Sequence, residues 1–236
     1  MFHVKHSTRN KPKAADRQER LGDDLERLAA VLNCQGMPLS SEAAAALRRF
    51  IGLLFEWNRQ INLVSRSDED RVVSRHVTES LALLAVADFP PGAVIVDFGS
   101  GGGFPAIPIK IMRPDLRVTL VESVAKKTAF LATVARELGL QGLSVLRKRA
   151  ESLDPAELDP PQIVTARAVA TLPSLWGWAK AILPRHGALL ALKGGQLENE
   201  LAPLRAAAGV VSIDCIPFPT PFGVELSRCV VRITKG

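Results

Sequence analysis

Four glycines in the stretch VIVDFGSGGGFPAIPIK, at positions 99, 101, 102 and 103, lie between an acid, Asp97, and a proline-marked apolar run beginning at Pro105. Glycine accepts positive φ and has no Cβ, so a turn built this way lets a ligand approach the main chain. Pro105 suits a first helical turn, whose free amides and partial positive charge would face the same space. The chemistry on offer is the holding of a nucleotide-sized ligand. Two further acids have useful places: Glu122, closing RVTLVES, could accept hydrogen bonds from ribose hydroxyls, and Glu151, in KRAESL, could face an adenine amino group.

The glycines fit two registers. Gly101-x-Gly103-x-x-Ala106 matches the loose dinucleotide fingerprint, whereas Asp97-x-Gly99-x-Gly101-x-Gly103 matches the S-adenosylmethionine (SAM) loop of Rossmann-like methyltransferases. Both arrangements place an acid where Glu122 stands, so the loop does not decide between them. Glu151 favours SAM, because dinucleotide enzymes ask no such role of that position. A dehydrogenase would also need a substrate domain beyond residue 236. Asp97 is expected to orient the loop through hydrogen bonds rather than to perform chemistry.

Stepping strands and helices must carry these residues. Leu21, Leu25, Leu28, Ala29 and Leu32 trace one helical face, and Leu47, Phe50, Ile51, Leu54, Trp57 and Ile61 trace a stronger one that Ser40 can cap. SDEDRVVSRHVTESLALL predicts a third helix, opened by a Ser67 to Asp70 capping box. After Pro90-Pro91-Gly92 the pattern alternates. Strands are predicted at 93–96, 118–121, 143–146, 163–166 and 188–192, with helices after Pro105 and over 125–138, 172–183 and 197–208. Two β-like runs, 210–216 and 229–233, close the chain as an antiparallel pair. The expected architecture is α/β: a 1–16 basic disordered tail, a 17–90 helical section, and a 91–236 Rossmann-like class I methyltransferase domain with a mostly parallel seven-stranded sheet.

Composition narrows the setting. The 236 residues are 47% hydrophobic and 23% charged, as expected of a folded globular chain. No apolar run has the length of a membrane span and the first twenty residues lack a signal-peptide core, so a cytoplasmic location is expected. Cys34, Cys215 and Cys229 are odd in number and show no paired spacing. They predict reduced thiols, with neither a disulfide framework nor a zinc site. The net charge is +6, and residues 1–20 hold six Lys or Arg against two acids, compatible with a polyanionic partner.

With these residues in place the chain resembles the RsmG (glucose-inhibited division protein B) family of bacterial 16S ribosomal RNA guanine-N7 methyltransferases. The resemblance runs from about residue 45 onward, through WNRQINLVS, RHVTESLALL, VDFGSGGGFPAIP, VESVAKKTAFL, ARAVATL and ALKG in the family's order. Ala106 stands where the family usually has Gly, and Glu79 where it usually has Asp. The resemblance implies SAM as cofactor, 16S rRNA as partner, free or in the small ribosomal subunit, and SAM contacts at Gly99, Phe104, Ala150, Glu151 and Arg167. Gly101 and Glu122 join that set from the loop and strand pattern. Phe104 would supply apolar contact at the loop's mouth.

No catalytic residue or metal is expected. After the fourth strand the chain reads TARAVATL, with neither the Asn/Asp-Pro-Pro-aromatic motif of amino-group methylases nor the cysteine of cytosine-C5 enzymes. Guanine N7 is consistent with these absences, since its lone pair carries no proton to remove. Asn58, Asn62 and His76 could line the substrate side, but structural roles are favoured. A small-molecule methyltransferase and a non-catalytic RNA-binding module are the alternatives. Candidate phosphate contacts are the tail, Arg66, Arg71, Arg75, Lys126, Lys127 and the RKR at 147–149. Deleting residues 2–15 is expected to weaken RNA binding and flatten its salt dependence, each lost phosphate contact changing the log–log slope by roughly 0.7 to 0.9, while the fold survives. RNA affinity measured across a salt series for both lengths of chain checks this.

Overall fold

The computed structural model describes residues 14–225 and 227–236. The disorder expected of the tail therefore concerns residues outside the description, apart from 14–16, which open the first helix, α1 (Ala14–Cys34). Leu25, Leu28 and Leu32 of α1 are buried. The second helix, α2 (Ser41–Asn58), starts where expected, with Ser40 Oγ accepting from Ala43 N at 3.1 Å. It stops before Ile61 because Asn58 turns its side chain onto the following loop: Oδ1 accepts from Leu63 N at 2.8 Å and Val64 N at 3.1 Å.

The third helical segment departs from its expected form. In place of a capping box at Ser67 there is a 3-10 turn (Glu69–Arg71), then a π-helix (Val72–Val77), then α3 (Thr78–Val86). Asp68 occupies the cap position without a side-chain cap bond. Its carboxylate is held elsewhere, accepting from Ser65 Oγ at 2.8 Å, Arg75 at 2.8 Å and Arg71 at 3.0 Å. The widened turn is tied by Thr78 Oγ1, which donates to Val73 O at 2.8 Å, and Val72, Val73, His76 and Val77 are all buried.

The sheet follows the predicted alternation. Its strands are β1 (Val94–Phe98), β2 (Arg117–Val121), β3 (Leu143–Leu146), β4 (Ile163–Arg167), β5 (Ala188–Gly194), β6 (Val210–Pro217) and β7 (Arg228–Lys235). Their spatial order is β3-β2-β1-β4-β5-β7-β6, parallel through β5 and antiparallel at β7 and β6. Crossovers run through α4 (Ala106–Met112), α5 (Ala125–Glu137) and α6 (Leu172–Ile182). The helix expected over 197–208 is only a short α7 (Glu198–Leu201) and a 3-10 turn, Ala202–Leu204. Pro203 lacks the amide that would continue it, and Leu201 and Leu204 are nonetheless buried.

Each sheet face has its own core. Ile95, Ile163 and Leu190 pack on the side that also buries Leu28, Phe50, Val77 and Leu81, so the helical section shares one apolar interior with the sheet. Val96, Phe98, Val164 and Ala166 face α6, whose Leu172, Leu175, Trp176 and Ala179 form the buried stripe. Among the described residues no helix is long and apolar enough to cross a membrane.

The loop between β1 and α4 is pressed into the first core. A Cβ on Gly103, at φ +87, would lie 2.6 Å from Ile107 Cγ1, whereas a Cβ on Gly52 inside α2 would meet nothing within 4 Å. Gly103→Ala should therefore destabilise by more than about 1 kcal/mol, and Gly52→Ala should stabilise by about 0.5–1 kcal/mol. Thermal unfolding of the two variants should show opposite shifts, each of about 2–4 °C per kcal/mol.

Candidate functional site

At the carboxyl end of the parallel strands lies an open cleft of about 190 Å³, lined by Gly99, Val121, Glu122, Ser123, Lys148, Arg149, Ala150, Glu151, Val169 and Trp178. This is where open α/β sheets collect ligands. Four of the expected cofactor residues, Gly99, Glu122, Ala150 and Glu151, meet here. Gly101 joins them through Glu122, whose Oε2 accepts from Gly101 N at 3.0 Å while Oε1 accepts from Val124 N at 2.8 Å. Each carboxylate oxygen keeps a second lone pair. The acid at the end of β2 thus shapes the glycine turn and remains able to accept from a hydroxyl.

The glycines divide the work differently from expectation. At Gly99, φ +61, an added Cβ would lie 2.7 Å from Val169 Cγ2, so the missing side chain makes room for the protein itself. At Gly101, φ +52, the nearest atom to an added Cβ is the Gly99 carbonyl at 3.7 Å. Gly101 is thus not crowded by any side chain, while the glycine that borders the cleft is Gly99. Val169 reaches Gly99 because β4 ends in a turn with Ala168 at φ +54, a left-handed conformation costing about 1–3 kcal/mol in a non-glycine residue. Trp178 supplies the other wall, its ring edge-on to Phe98 at a centroid distance of 6.4 Å. Val169 gave no sequence signal, but Trp178 did: it is the aromatic residue of α6 that falls off the buried stripe.

Phe104 and Arg167 do not line the cleft. Phe104 is only 4% exposed, packed on Phe50 at 5.3 Å and on His76 at 5.2 Å, so the apolar contact placed at the loop's mouth goes to the interior. The Arg167 guanidinium lies over the Phe104 ring at 5.0 Å, touches His76 Nδ1, and is 3.6 Å from Glu79. Glu79 is gripped from the far end of the chain by Arg228, through Nε at 2.8 Å and Nη2 at 2.9 Å. A buried cluster of charges thus backs the loop. Asn58 is structural, as its four side-chain bonds show: besides the two amides it binds Val64 O at 3.1 Å and Glu69 at 2.7 Å. Asn62 is exposed. No group of three His, Cys, Asp or Glu among the described residues is placed to hold a metal ion.

Comparison with known proteins gives a consistent result. A family model described as rRNA small subunit methyltransferase G matches residues 43–218. The chain is 39% identical to the ribosomal RNA small subunit methyltransferase G of Roseiflexus sp. (strain RS-1), over 89% of this chain and 91% of that one. It is 40% identical to the protein of the same name from Halorhodospira halophila, over 78% and 85%. Among solved structures, a SAM-dependent methyltransferase from Aquifex aeolicus superposes with a TM-score of 0.53 at 14% identity, covering 78% of this chain and 98% of that one. Aeropyrum pernix fibrillarin, solved with natively bound SAM, gives 0.52 at 15% identity over 67% and 76%. At such identities these two show a shared fold.

Two buried groups beneath the loop titrate in opposite senses. Burial pushes the Asp97 carboxyl from 3.8 up to about 7, although Thr165 Oγ1 donates to it at 2.6 Å. Burial, with the Arg167 charge beside it, pushes His76 from 6.5 down to about 3. Between pH 4 and 7 folded Asp97 keeps a proton that the unfolded chain has released, so its contribution to stability falls as pH rises. Between pH 3 and 6.5 unfolded His76 is protonated and folded His76 is neutral, so its contribution rises. Urea unfolding across this range should show wild-type stability decreasing with pH relative to Asp97→Asn and increasing relative to His76→Gln. The opposite slopes would contradict these protonation states.

Proposed function

The chain belongs to the rRNA small subunit methyltransferase G family, and from that premise we propose that it transfers a methyl group from SAM to N7 of a guanine in 16S ribosomal RNA. The observation that supports the cofactor is the cleft, where Gly99, Glu122 and the Ala150–Glu151 turn converge and where Glu122 also holds the Gly101 amide. These residues fit SAM: backbone amides beside Gly101 would bound its methionine portion, Glu122 would accept from its ribose, and Ala150 and Glu151 would border its adenine, with Trp178 as an apolar wall. When bound, SAM supplies an electrophilic methyl group on a sulfonium.

The chain's own task is then alignment and exclusion of water. N7 of guanine has a lone pair and no proton, so no side chain has to act as a general base. This agrees with the state of the buried groups. His76 is neutral, covered and held against Arg167, and Asp97 lies under the loop, bonded to Thr165. Arg167, Glu79 and Phe104 act as positioning residues that hold the loop from behind. The partner is 16S rRNA, as naked RNA or within the small subunit, and the expected place of action is the cytoplasm. Lys126, exposed in the first turn of α5, is a candidate to meet an RNA phosphate. Lys148 and Arg149 are engaged by Glu157 and by Glu151 at 3.6 Å.

Calorimetry should show binding of SAM or S-adenosylhomocysteine and not of NAD, and Gly101→Val should weaken it severely, because a branched side chain at φ +52 distorts the turn that Glu122 holds. Nucleoside mass spectrometry after reaction with deproteinised 16S RNA and with intact small subunits should show 7-methylguanosine. Methylation of an exocyclic amine, a ribose or a cytosine would reject the N7 assignment. Cofactor binding without turnover on either substrate would favour a binding module.

A further inference from the structure

The three cysteines of the chain, read from the sequence as reduced thiols without paired spacing, are not all far apart in space. Strand pairing sets Cys215 of β6 against Val231 of β7, and Pro217 against Cys229. Side chains two residues apart on a strand share a face, so Cys215 and Cys229 are diagonal neighbours on one side of the ribbon. Cys215 is exposed and Cys229 half-buried, whereas Cys34 is exposed on its own at the end of α1. Independently of the methyl-transfer reading, we propose that Cys215 and Cys229 are a redox pair that closes to a reversible disulfide on exposure to a peroxide.

Their surroundings give the two sulfurs different parts. Cys215 is the exposed sulfur of the two, the one a peroxide in solution reaches first. Burial, reinforced by the adjoining Cys215 thiol, pushes the Cys229 thiol up and keeps it protonated. The Cys215 thiolate attacks the O–O bond of hydrogen peroxide, giving a sulfenic acid and hydroxide. Cys229 then loses its proton and attacks the Cys215 sulfur, expelling a second hydroxide, and the released protons complete two waters. Two thiols and one peroxide become one disulfide and two water molecules.

Diagonal neighbours in an antiparallel pair have Cα atoms about 7–8 Å apart, at the outer limit of what a disulfide spans. One strand must therefore move. β6 is able to do so, being an edge strand with an irregular register between Val210 and Ser212. The strain of the closed form makes it easy to reduce, so the bond acts as a switch rather than a permanent staple. The bond would also join the edge strand to the start of β7, next to Arg228, which holds Glu79.

The test is peptide mass spectrometry of the full chain after hydrogen peroxide, with free thiols alkylated under denaturing conditions. The expected result is joint loss of the Cys215 and Cys229 thiols, a cross-linked peptide joining them, and full recovery of both thiols in reduced glutathione. In Cys215→Ser the Cys229 thiol should stay free, and this variant, altered only at an exposed edge position, also reports on folding. Thiols that remain free, sulfinic acid at Cys215 with Cys229 unreacted, or bridges only between molecules would overturn the proposal.

Discussion

Glu79 is 2% exposed, and a carboxylate taken that far from water needs compensation from its neighbours. Arg228 meets it with two nitrogens from the other end of the chain, and Arg167 approaches from β4. One carboxylate thereby ties α3, the end of a central strand and the start of β7 into a single contact. Burial pushes Glu79 up and Arg167 down to about 10, so each charge depends on the others for its place. Removing one member of such a set leaves an uncompensated charge in the interior, which costs about 3–5 kcal/mol in comparable cases. Arg228 Nη2 donates to the Glu79 carboxylate at 2.9 Å, and the same guanidinium brings Nε within 2.8 Å of its other oxygen.

The glycine loop beside the cleft rests on that cluster. Arg167 and His76 press on Phe104, and Phe104 is the residue that follows the last loop glycine. On the other side of the loop, Glu122 accepts from Gly101 N and Val124 N, fixing the turn to the start of α5. The glycine turn is thus held from beneath by charge and aromatic packing and from the side by a carboxylate. Preorganisation of this kind spares a ligand the entropic cost of ordering its own site.

Local pattern made most of the fold legible. Val94–Phe98, Arg117–Val121 and Leu143–Leu146 are short, β-branched or aliphatic and bounded by turn residues, and each formed within two residues of its predicted position. Glu122 and Glu151 could be placed because they follow strands that could be counted. The π-helix at Val72–Val77 was not legible, since its apolar residues repeat as an α-helix's would; in the fold it packs against α1. Nor were the turns of Phe104 and Arg167 toward the interior. Their partners are His76, Glu79 and Phe50, far away in the chain, and nothing in the spacing of residues announces that such groups meet. Val169 belongs to the same class, its position following from a left-handed Ala168 that a sequence does not disclose.

The placing of β7 between β5 and β6 has a consequence for how the chain is made. During synthesis residues 210–217 emerge before residues 228–235, yet among the described residues β6 pairs with β7 alone, and the free side of β5 is covered by the same strand. Until that strand arrives the nascent chain carries an open sheet edge and an unpaired strand, the two features that most invite pairing with other molecules. Both margins are covered only when β7 takes its place between them and Arg228 meets Glu79.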